Sequence, residues 1–382
     1  MKFLAQSGLE AFLGFLARSA RVVAPVKTDG VVQYQVWAPG TEVELDVLLA
    51  KQSPKEYVFP QSETCLSFLY TMACPAVKPM STEEARAELE EGEGGEVFAV
   101  PTSVSHELLL VDAPVDGSAQ VIFGLRPCDA RGFVQMDRVF GGYGGFYFDP
   151  YYNARRDATT LVAVTCRDPR STCFCSAIGG SPSGTEGVDL LLTQVEGGFT
   201  AEAVTTKGEA LLAFDGFADA ESSQADAAAG VKETAAGAVD APFTLEGLRE
   251  ALRANFEDPR WHDLAMRCIS CGTCTYVCPN CYCFTIMDQA VEIEGERFRV
   301  WDNCFNPIYT LEASGHNPRD AKASRFRNRF SHKFWYYPEK YDSLLCSGCG
   351  RCIMHCPTRI DIREVLRTIA SPVPAAADGE GA

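Results

Sequence analysis

Nowhere among the 382 residues is there a run of 18 apolar positions, so no segment reads as a membrane-spanning helix. Positive charge is also short. The chain holds 34 Lys and Arg against 51 Asp and Glu, a net charge of −17. That balance argues against nucleic-acid binding, which needs a cationic surface. Histidine is scarce: His106, His262, His316, His332 and His355 form no HExxH or other ligand spacing. His355, next to Cys356, reads as packing beside a metal site. No Walker A sequence and no nucleophile elbow occurs. Gly142, Gly144 and Gly145 do not complete a dinucleotide fingerprint, because position 147 is Tyr. The opening stretch MKFLAQSGLEAFLGFLARSARVV has its apolar residues broken by Gln6 and Glu10, with no basic segment before them. It reads as neither a signal peptide nor a span, and the expected compartment is the reducing cytoplasm. Ser7 and Glu10 have capping-box spacing, and Leu9, Phe12, Leu13 and Leu16 recur at helical intervals, which predicts an amphipathic helix.

Cysteine is what the chain has in quantity: 17 residues, an odd number that cannot pair completely. Eleven lie after residue 260, in a half whose 14 acids and 14 bases cancel, while residues 1–260 carry the whole −17. Two runs repeat one pattern. Cys268-x2-Cys271-x2-Cys274-x3-Cys278-Pro279 is matched by Cys346-x2-Cys349-x2-Cys352-x3-Cys356-Pro357. Three thiolates at this spacing wrap three corners of a cubane, and the fourth, before Pro, reaches the other cluster. Cys268, Cys271, Cys274 and Cys356 are therefore assigned to one 4Fe–4S cluster. Cys346, Cys349, Cys352 and Cys278 are assigned to a second. Zinc is the alternative, but its sites usually come as separated Cys pairs. The segment 317–340 supplies Arg319, Lys322, Arg325, Arg327, Arg329, Lys333 and Lys340 against Asp320 and Glu339. It could offset cluster charge, dock an acidic partner, or be a solvated face.

The stretch between the runs, 279–345, is long for a compact two-cluster module. It contains an alternating segment, Val291 to Trp301, read as a hairpin turning about Glu294-Gly295-Glu296. It also holds Cys281, Cys283 and Cys304, read as structural thiols or of unknown role.

In the first half, the apolar runs 121–125, 161–164 and 188–195 read as buried strands. Phe133, Met136, Val139 and Phe140 follow at helical spacing. Cys128 and Cys166 would sit at C-terminal strand ends, where open α/β sheets place ligands, and Cys173 and Cys175 lie just beyond. Four thiols at one sheet edge could bind a third 4Fe–4S cluster. The alternative is buried free thiols, with Arg126 and Asp129 as a local pair. Cys65 and Cys74 read as core cysteines in helical context. The acidic run Ser81 to Glu96 reads as a capped, solvated helix.

The fold class expected is α+β: an N-terminal α/β domain, 1–216, followed by a bacterial-ferredoxin-like domain with two 4Fe–4S clusters and a long insertion, 243–370. Residues 217–242, rich in Ala, Gly and Asp, read as a linker or exposed excursion. Residues 371–382 read as a disordered tail.

Taken in order, KQSPKEYVFPQSE at 51–63, FGLRPCDARGF at 123–133, DPYYNARRD at 149–157, CFC at 173–175, DLLLTQV at 189–195, CGTCTYVCPNCYCF at 271–284, RFRVWDNC at 297–304, RFRNRFSHKF at 325–334 and CSGCGRCIMHCP at 346–357 resemble one family. It is the 4Fe–4S dicluster electron-transfer family that includes the beta subunit of cytoplasmic NiFe hydrogenase (sulfhydrogenase) and a dicluster subunit of anaerobic sulfite reductase. The resemblance implies an electron-transfer subunit. It implies relay between a subunit that binds flavin and NAD(P)H and a terminal catalytic subunit of a cytoplasmic hetero-oligomer. The family pattern includes Cys128, Cys166, Cys173 and Cys175, and also Cys281, Cys283 and Cys304. The Ala-rich 217–242 stretch departs from it. The competing reading is a catalytic oxidoreductase that binds flavin or substrate at the Cys128–Cys175 edge, and a third is a scaffold whose clusters only hold the fold.

Overall fold

The computed structural model describes residues 1–46, 49–70, 97–101, 107–145, 147–239 and 244–372. Cys74, the run from Ser81 to Glu96, His106 and the tail after residue 372 lie outside the described residues.

Thirteen strands are described: β1 (Lys2–Ala5), β2 (Arg21–Thr28), β3 (Val31–Val36), β4 (Ser62–Tyr70), β5 (Val97–Pro101), β6 (Glu107–Asp112), β7 (Gln120–Leu125), β8 (Thr159–Val164), β9 (Leu190–Val195), β10 (Gly198–Ala203), β11 (Phe217–Asp219), β12 (Phe284–Val291) and β13 (Glu294–Trp301). Eight form one sheet in the order β11-β1-β10-β9-β8-β7-β2-β3. Its centre, β2, β7, β8 and β9, is parallel, and antiparallel strands flank it. The three apolar runs are β7, β8 and β9, apolar on both faces because both faces are covered. Ile122, Leu161, Ala163 and Leu191 point to one side, where helix Pro127–Phe140 lays Phe133, Met136 and Phe140 on them. Phe123, Val162, Leu190 and Leu192 point to the other, onto Phe12, Leu13 and Leu16 of helix Leu9–Leu16. That helix follows a single 3₁₀ turn and is capped by Gly8 with no side-chain bond, so the Ser7–Glu10 capping box does not form.

Residues 217–239 are more ordered than the composition of the 217–242 stretch suggests. β11 pairs with β1, and residues Ser222–Ala238 form a helix with a capping box between Glu221 and Gln224. Alanine supplies helix propensity, and Ala228 and Ala235 are fully buried.

A second, antiparallel sheet runs β12-β13-β4-β6-β5. It joins the insertion to the first half, since β13 pairs with β4 from Glu294↔Leu69 to Val300↔Ser62. The hairpin turns at Glu292 and Ile293, two residues before the expected position, because β12 and β13 pair through Val291↔Glu294. Cys65 lies on strand β4, not a helix, at the bulge where the register shifts between Arg297 and Phe298. Buried Arg299 of β13 donates to Glu63 on β4 at 2.7 Å and also binds Asp149.

The last third packs helices Leu248–Ala254, Arg260–Met266, Lys322–Ser331 and Ile362–Ala370 around Trp261, Phe326, Phe330, Leu366 and Ile369. Each cysteine run ends its loop in a short helix, Thr273–Tyr276 or Arg351–Met354, entered through a left-handed glycine, Gly272 or Gly350. The second loop interlocks with the first half. Phe174 N–H donates to the Gly348 carbonyl at 2.9 Å, and a Cβ on Gly348, at φ +67°, would meet Cys175 Cα at 2.5 Å. Arg351 grips Asp129 with bonds of 2.6 and 3.0 Å, both side chains fully buried, and its Nε donates to the Ala50 carbonyl at 3.0 Å. Asp129 thus pairs across the chain instead of locally. Arg126 turns away to the carbonyls of Leu45 and Thr165, at 2.5 and 3.1 Å.

Removing one partner of such a pair leaves a buried charge uncompensated. Asp129→Ala is expected to cost about 3–5 kcal/mol, read as a lower urea midpoint with unchanged slope. A midpoint equal to that of the wild type would show that the pair contributes nothing net.

Candidate metal centres

Cys268, Cys271, Cys274 and Cys356, the first predicted ligand set, line one opening of about 510 Å³. Phe305, Phe326, Phe330 and Ile362 wall it with hydrocarbon, and Cys352 of the second run also reaches its edge. Burial pushes the Cys274 thiol up to about 11. Cys271 is exposed at the rim.

Cys346, Cys349, Cys352 and Cys278 group deeper. Cys278, Cys346 and Cys349 are buried. Burial raises the Cys346 thiol, and drives Cys352 to about 12 with Cys349, Cys346 and Cys274 as its sulfur neighbours. Cys278 is tied in by a buried relay. Its Sγ lies 2.7 Å from Asn280 Oδ1, Asn280 Nδ2 donates to Gln135 Oε1 at 2.5 Å, and Gln135 Nε2 donates to the Cys346 carbonyl at 3.0 Å. Gln135 stands on helix Pro127–Phe140, so the first half helps shape this site.

Cys128, Cys166, Cys173 and Cys175 come together as well. They line a second opening of about 320 Å³, beside Leu49, Pro169 and Pro182. Cys128 is in the first turn of the helix after β7, and Cys166 follows β8, the strand ends that the sequence pattern indicates. Burial lifts Cys166 to about 12 and Cys175 to about 11. Cys349 lines this opening too, just as Cys352 lines the first. The three sites are therefore contiguous, with the second run between the other two.

Two observations bear on what these thiols can hold. Ser270, Ser347 and Thr172 each bury a hydroxyl without a hydrogen-bond partner, and each is adjacent to a cysteine of the three sets. Buried hydroxyls normally find acceptors, and cluster sulfur would provide them. Among the described residues, no three Cys, His, Asp or Glu side chains gather as one metal ion requires. Tetrahedral zinc needs sulfurs about 3.8 Å apart, given Zn–S bonds of about 2.3 Å.

Cations complete the fit. On helix Lys322–Ser331 and the π turn after it, Arg329 donates to the Cys274 carbonyl at 2.9 Å and approaches Cys281 Sγ at 3.6 Å. Lys333 donates to the Leu345 carbonyl at 2.8 Å, to Asn280 Oδ1 at 2.9 Å and towards Cys278 Sγ at 3.5 Å. Lys55, from the 3₁₀ turn Pro54–Tyr57, donates to the Cys281 carbonyl at 2.8 Å and lies 4.2 Å from the Trp301 ring centre. All three are buried, and none forms an ion pair with a carboxylate among the described residues. Burial opposes the Lys333 charge, yet Cys278 and Cys281 hold its pKa above the ordinary value. Of the basic stretch, Arg329 and Lys333 therefore face the thiols, whereas Arg327 binds Glu257 at the surface.

Cys281, Cys283 and Cys304 surround the same cations. Cys281 accepts from Cys278, which lowers its pKa, and Cys283 accepts from Cys304 and Tyr309. The hairpin brings Cys283 and Cys304 together, since its strands pair as far as Phe284↔Trp301. His355 is half-buried, and burial lowers its pKa. Sequence reasoning misses Lys55, Arg351, Asn280 and Gln135. A buried Lys or Arg without an acidic partner is visible only when the fold surrounds it with sulfur.

Residues 267–360 match the 4Fe–4S dicluster domain family. The chain is 34% identical over 256 residues to sulfhydrogenase 2 subunit beta of Pyrococcus furiosus, covering 66% of this chain and 75% of that protein. No solved structure matches the chain.

Lys333→Met removes a positive charge facing Cys278 while keeping the length of the side chain. It is expected to lower the midpoint potential of one centre by on the order of 100 mV, the scale of a unit charge a few ångströms away in a medium of effective dielectric about 20. A redox titration followed by EPR checks this, and unchanged potentials would remove Lys333 from the electrostatics of the site.

Proposed function

This chain belongs to the family of 4Fe–4S electron-transfer subunits that includes sulfhydrogenase beta subunits, and from that premise we propose that it is a relay with three cluster sites in series. It is an iron–sulfur electron-transfer subunit, and its dicluster domain spans 267–360. Cys268, Cys271, Cys274 and Cys356 hold the outer cluster of that domain, and Cys346, Cys349, Cys352 and Cys278 hold the inner one. Cys128, Cys166, Cys173 and Cys175 hold a third. When bound, such clusters take up and release single electrons without bond rearrangement. The observation that carries the reading is the shared lining: Cys352 reaches the first opening and Cys349 the third, so the middle set adjoins both others.

The chain's own residues supply position and dielectric. Phenylalanines wall the first site, Arg329 and Lys333 sit beside the second, and Arg351 and Asp129 clamp the third against it. The electrons pass between a subunit that binds flavin and NAD(P)H and a terminal catalytic subunit of a cytoplasmic oxidoreductase, a hydrogenase, a sulfite reductase or a related enzyme. The relative named a sulfhydrogenase beta subunit supports a place in such an assembly. Among the described residues, no helix is long and apolar enough to cross a membrane.

A second reading has one observation in its favour. A surface cleft of about 630 Å³ adjoins Cys128 and Cys175 and is lined by Arg131, Gly180, Thr185 and Glu186. A flavin or substrate there would make the chain itself an oxidoreductase. Flavin released from the purified chain by acid would favour this reading over the relay.

Iron and acid-labile sulfide should each come to about twelve per chain in protein purified without oxygen. Cys166→Ser should remove about four of each and one EPR signal, leaving the other two. A wild-type value of about eight would eliminate the third cluster. Clusters that stay oxidised while the full complex turns over would eliminate the relay.

A further inference from the structure

The first opening is not sealed. Cys271 is exposed, and the loop around it presents Ile269 at 63% and Met266 at 73% of full exposure. Exposed apolar side chains grouped inside a polar rim mark interaction sites. Around this apolar centre stand three cations. Arg267 donates to the carbonyls of Thr358 and Arg359 at 3.0 and 3.2 Å, which places it beside Arg359. Lys322 donates to the Met266 carbonyl at 3.4 Å. Arg267 and Arg359 are exposed, and Lys322 is half-buried. None of the three forms an ion pair with a carboxylate among the described residues, and Arg267 shares a neighbouring cleft with Asp263, Asp361 and Glu364.

The charge pattern of the whole chain makes this local excess informative. A molecule of net charge −17 repels an acidic partner at long range. An apolar centre inside a rim of cations is the anatomy of a docking site for a partner of opposite charge.

We propose that the face formed by Met266, Arg267, Ile269, Cys271, Lys322 and Arg359 docks a small acidic one-electron carrier protein, which exchanges electrons through the site behind Cys271. This rests on the relay reading. One electron moves from the reduced carrier to the oxidised centre, with no bond made or broken and no proton required.

The test uses the full complex, purified without oxygen, and an acidic ferredoxin with two 4Fe–4S clusters as the probe. Stopped-flow absorbance follows its reduction of the complex from about 50 to about 500 mM salt, a range that spans strong and weak screening. The second-order rate should fall as salt rises, and Arg267→Glu with Lys322→Glu should lower it about tenfold at low salt. Ile269→Lys should slow it without steepening the salt dependence. Iron content and visible spectrum, unchanged in each variant, exclude unfolding. Dithionite, a small reductant that needs no docking face, separates the two ideas. If dithionite leaves the centres oxidised, the relay itself fails. If dithionite reduces them but the charge reversals leave the ferredoxin rate unchanged, the docking face is overturned. An equal loss in Arg18→Glu, a distant exposed site, would overturn it too. So would a cross-link from Lys322 to another chain of the complex, since that chain would already cover the face.

Discussion

A thiolate moved from water into a protein interior must be met by positive charge or by donors, and the metal-site half of this chain is arranged around that requirement. Lys55, Arg329 and Lys333 come from three different turns, and each would be a liability alone, a buried cation without a carboxylate. They are tolerable only beside sulfur that is negative. The same need explains why formal charge misleads here. The half that counts as neutral, 14 acids against 14 bases, encloses thiols that become anionic as ligands, and its buried cations balance them.

Geometry follows from the same constraint. A cation cannot be buried against a thiol unless several segments close around both. Lys55 arrives from the first half and Gln135 from helix Pro127–Phe140, while Arg329 and Lys333 stand one turn apart on a single helical segment. Left-handed glycines allow the cysteine loops to approach other backbone: Gly350 fits against the Thr172 carbonyl and Gly348 against Cys175, where no Cβ could fit. The loops of the second and third sites therefore fold against one another as one unit.

Much of this is legible in the sequence, for identifiable reasons. The eight-cysteine repeat is set by local loop geometry, so spacing alone groups Cys268, Cys271, Cys274 and Cys356, and the fold gathers them around one opening. The apolar runs become β7, β8 and β9 because a covered parallel sheet leaves no other pattern. The convergence of Cys128, Cys166, Cys173 and Cys175 follows from strand ends. What stays hidden depends on distant partners. The salt bridge of Asp129 reaches 222 residues along the sequence, and no local pattern distinguishes Arg351 from Arg126 as its partner. Cys65 reads as helical because its strand is defined by pairing with β13, far along the chain. The Ala-rich stretch reads as a linker because its helix buries only small side chains against the sheet, which leaves little hydrophobic periodicity to detect.

The hairpin β12–β13 has a consequence for whether the two halves can be taken apart. Seen as modules, an α/β domain and a ferredoxin-like domain should be separable, fused elsewhere or exchanged. Here β4 of the first module has β13 of the second as its neighbour, and Arg299 of β13 is buried against Glu63 and Asp149. A cut at the boundary would strip β4 of a partner and expose a bare edge, the kind of surface that aggregates. The two halves are thus joined through a shared sheet, and neither edge of that junction is finished without the other.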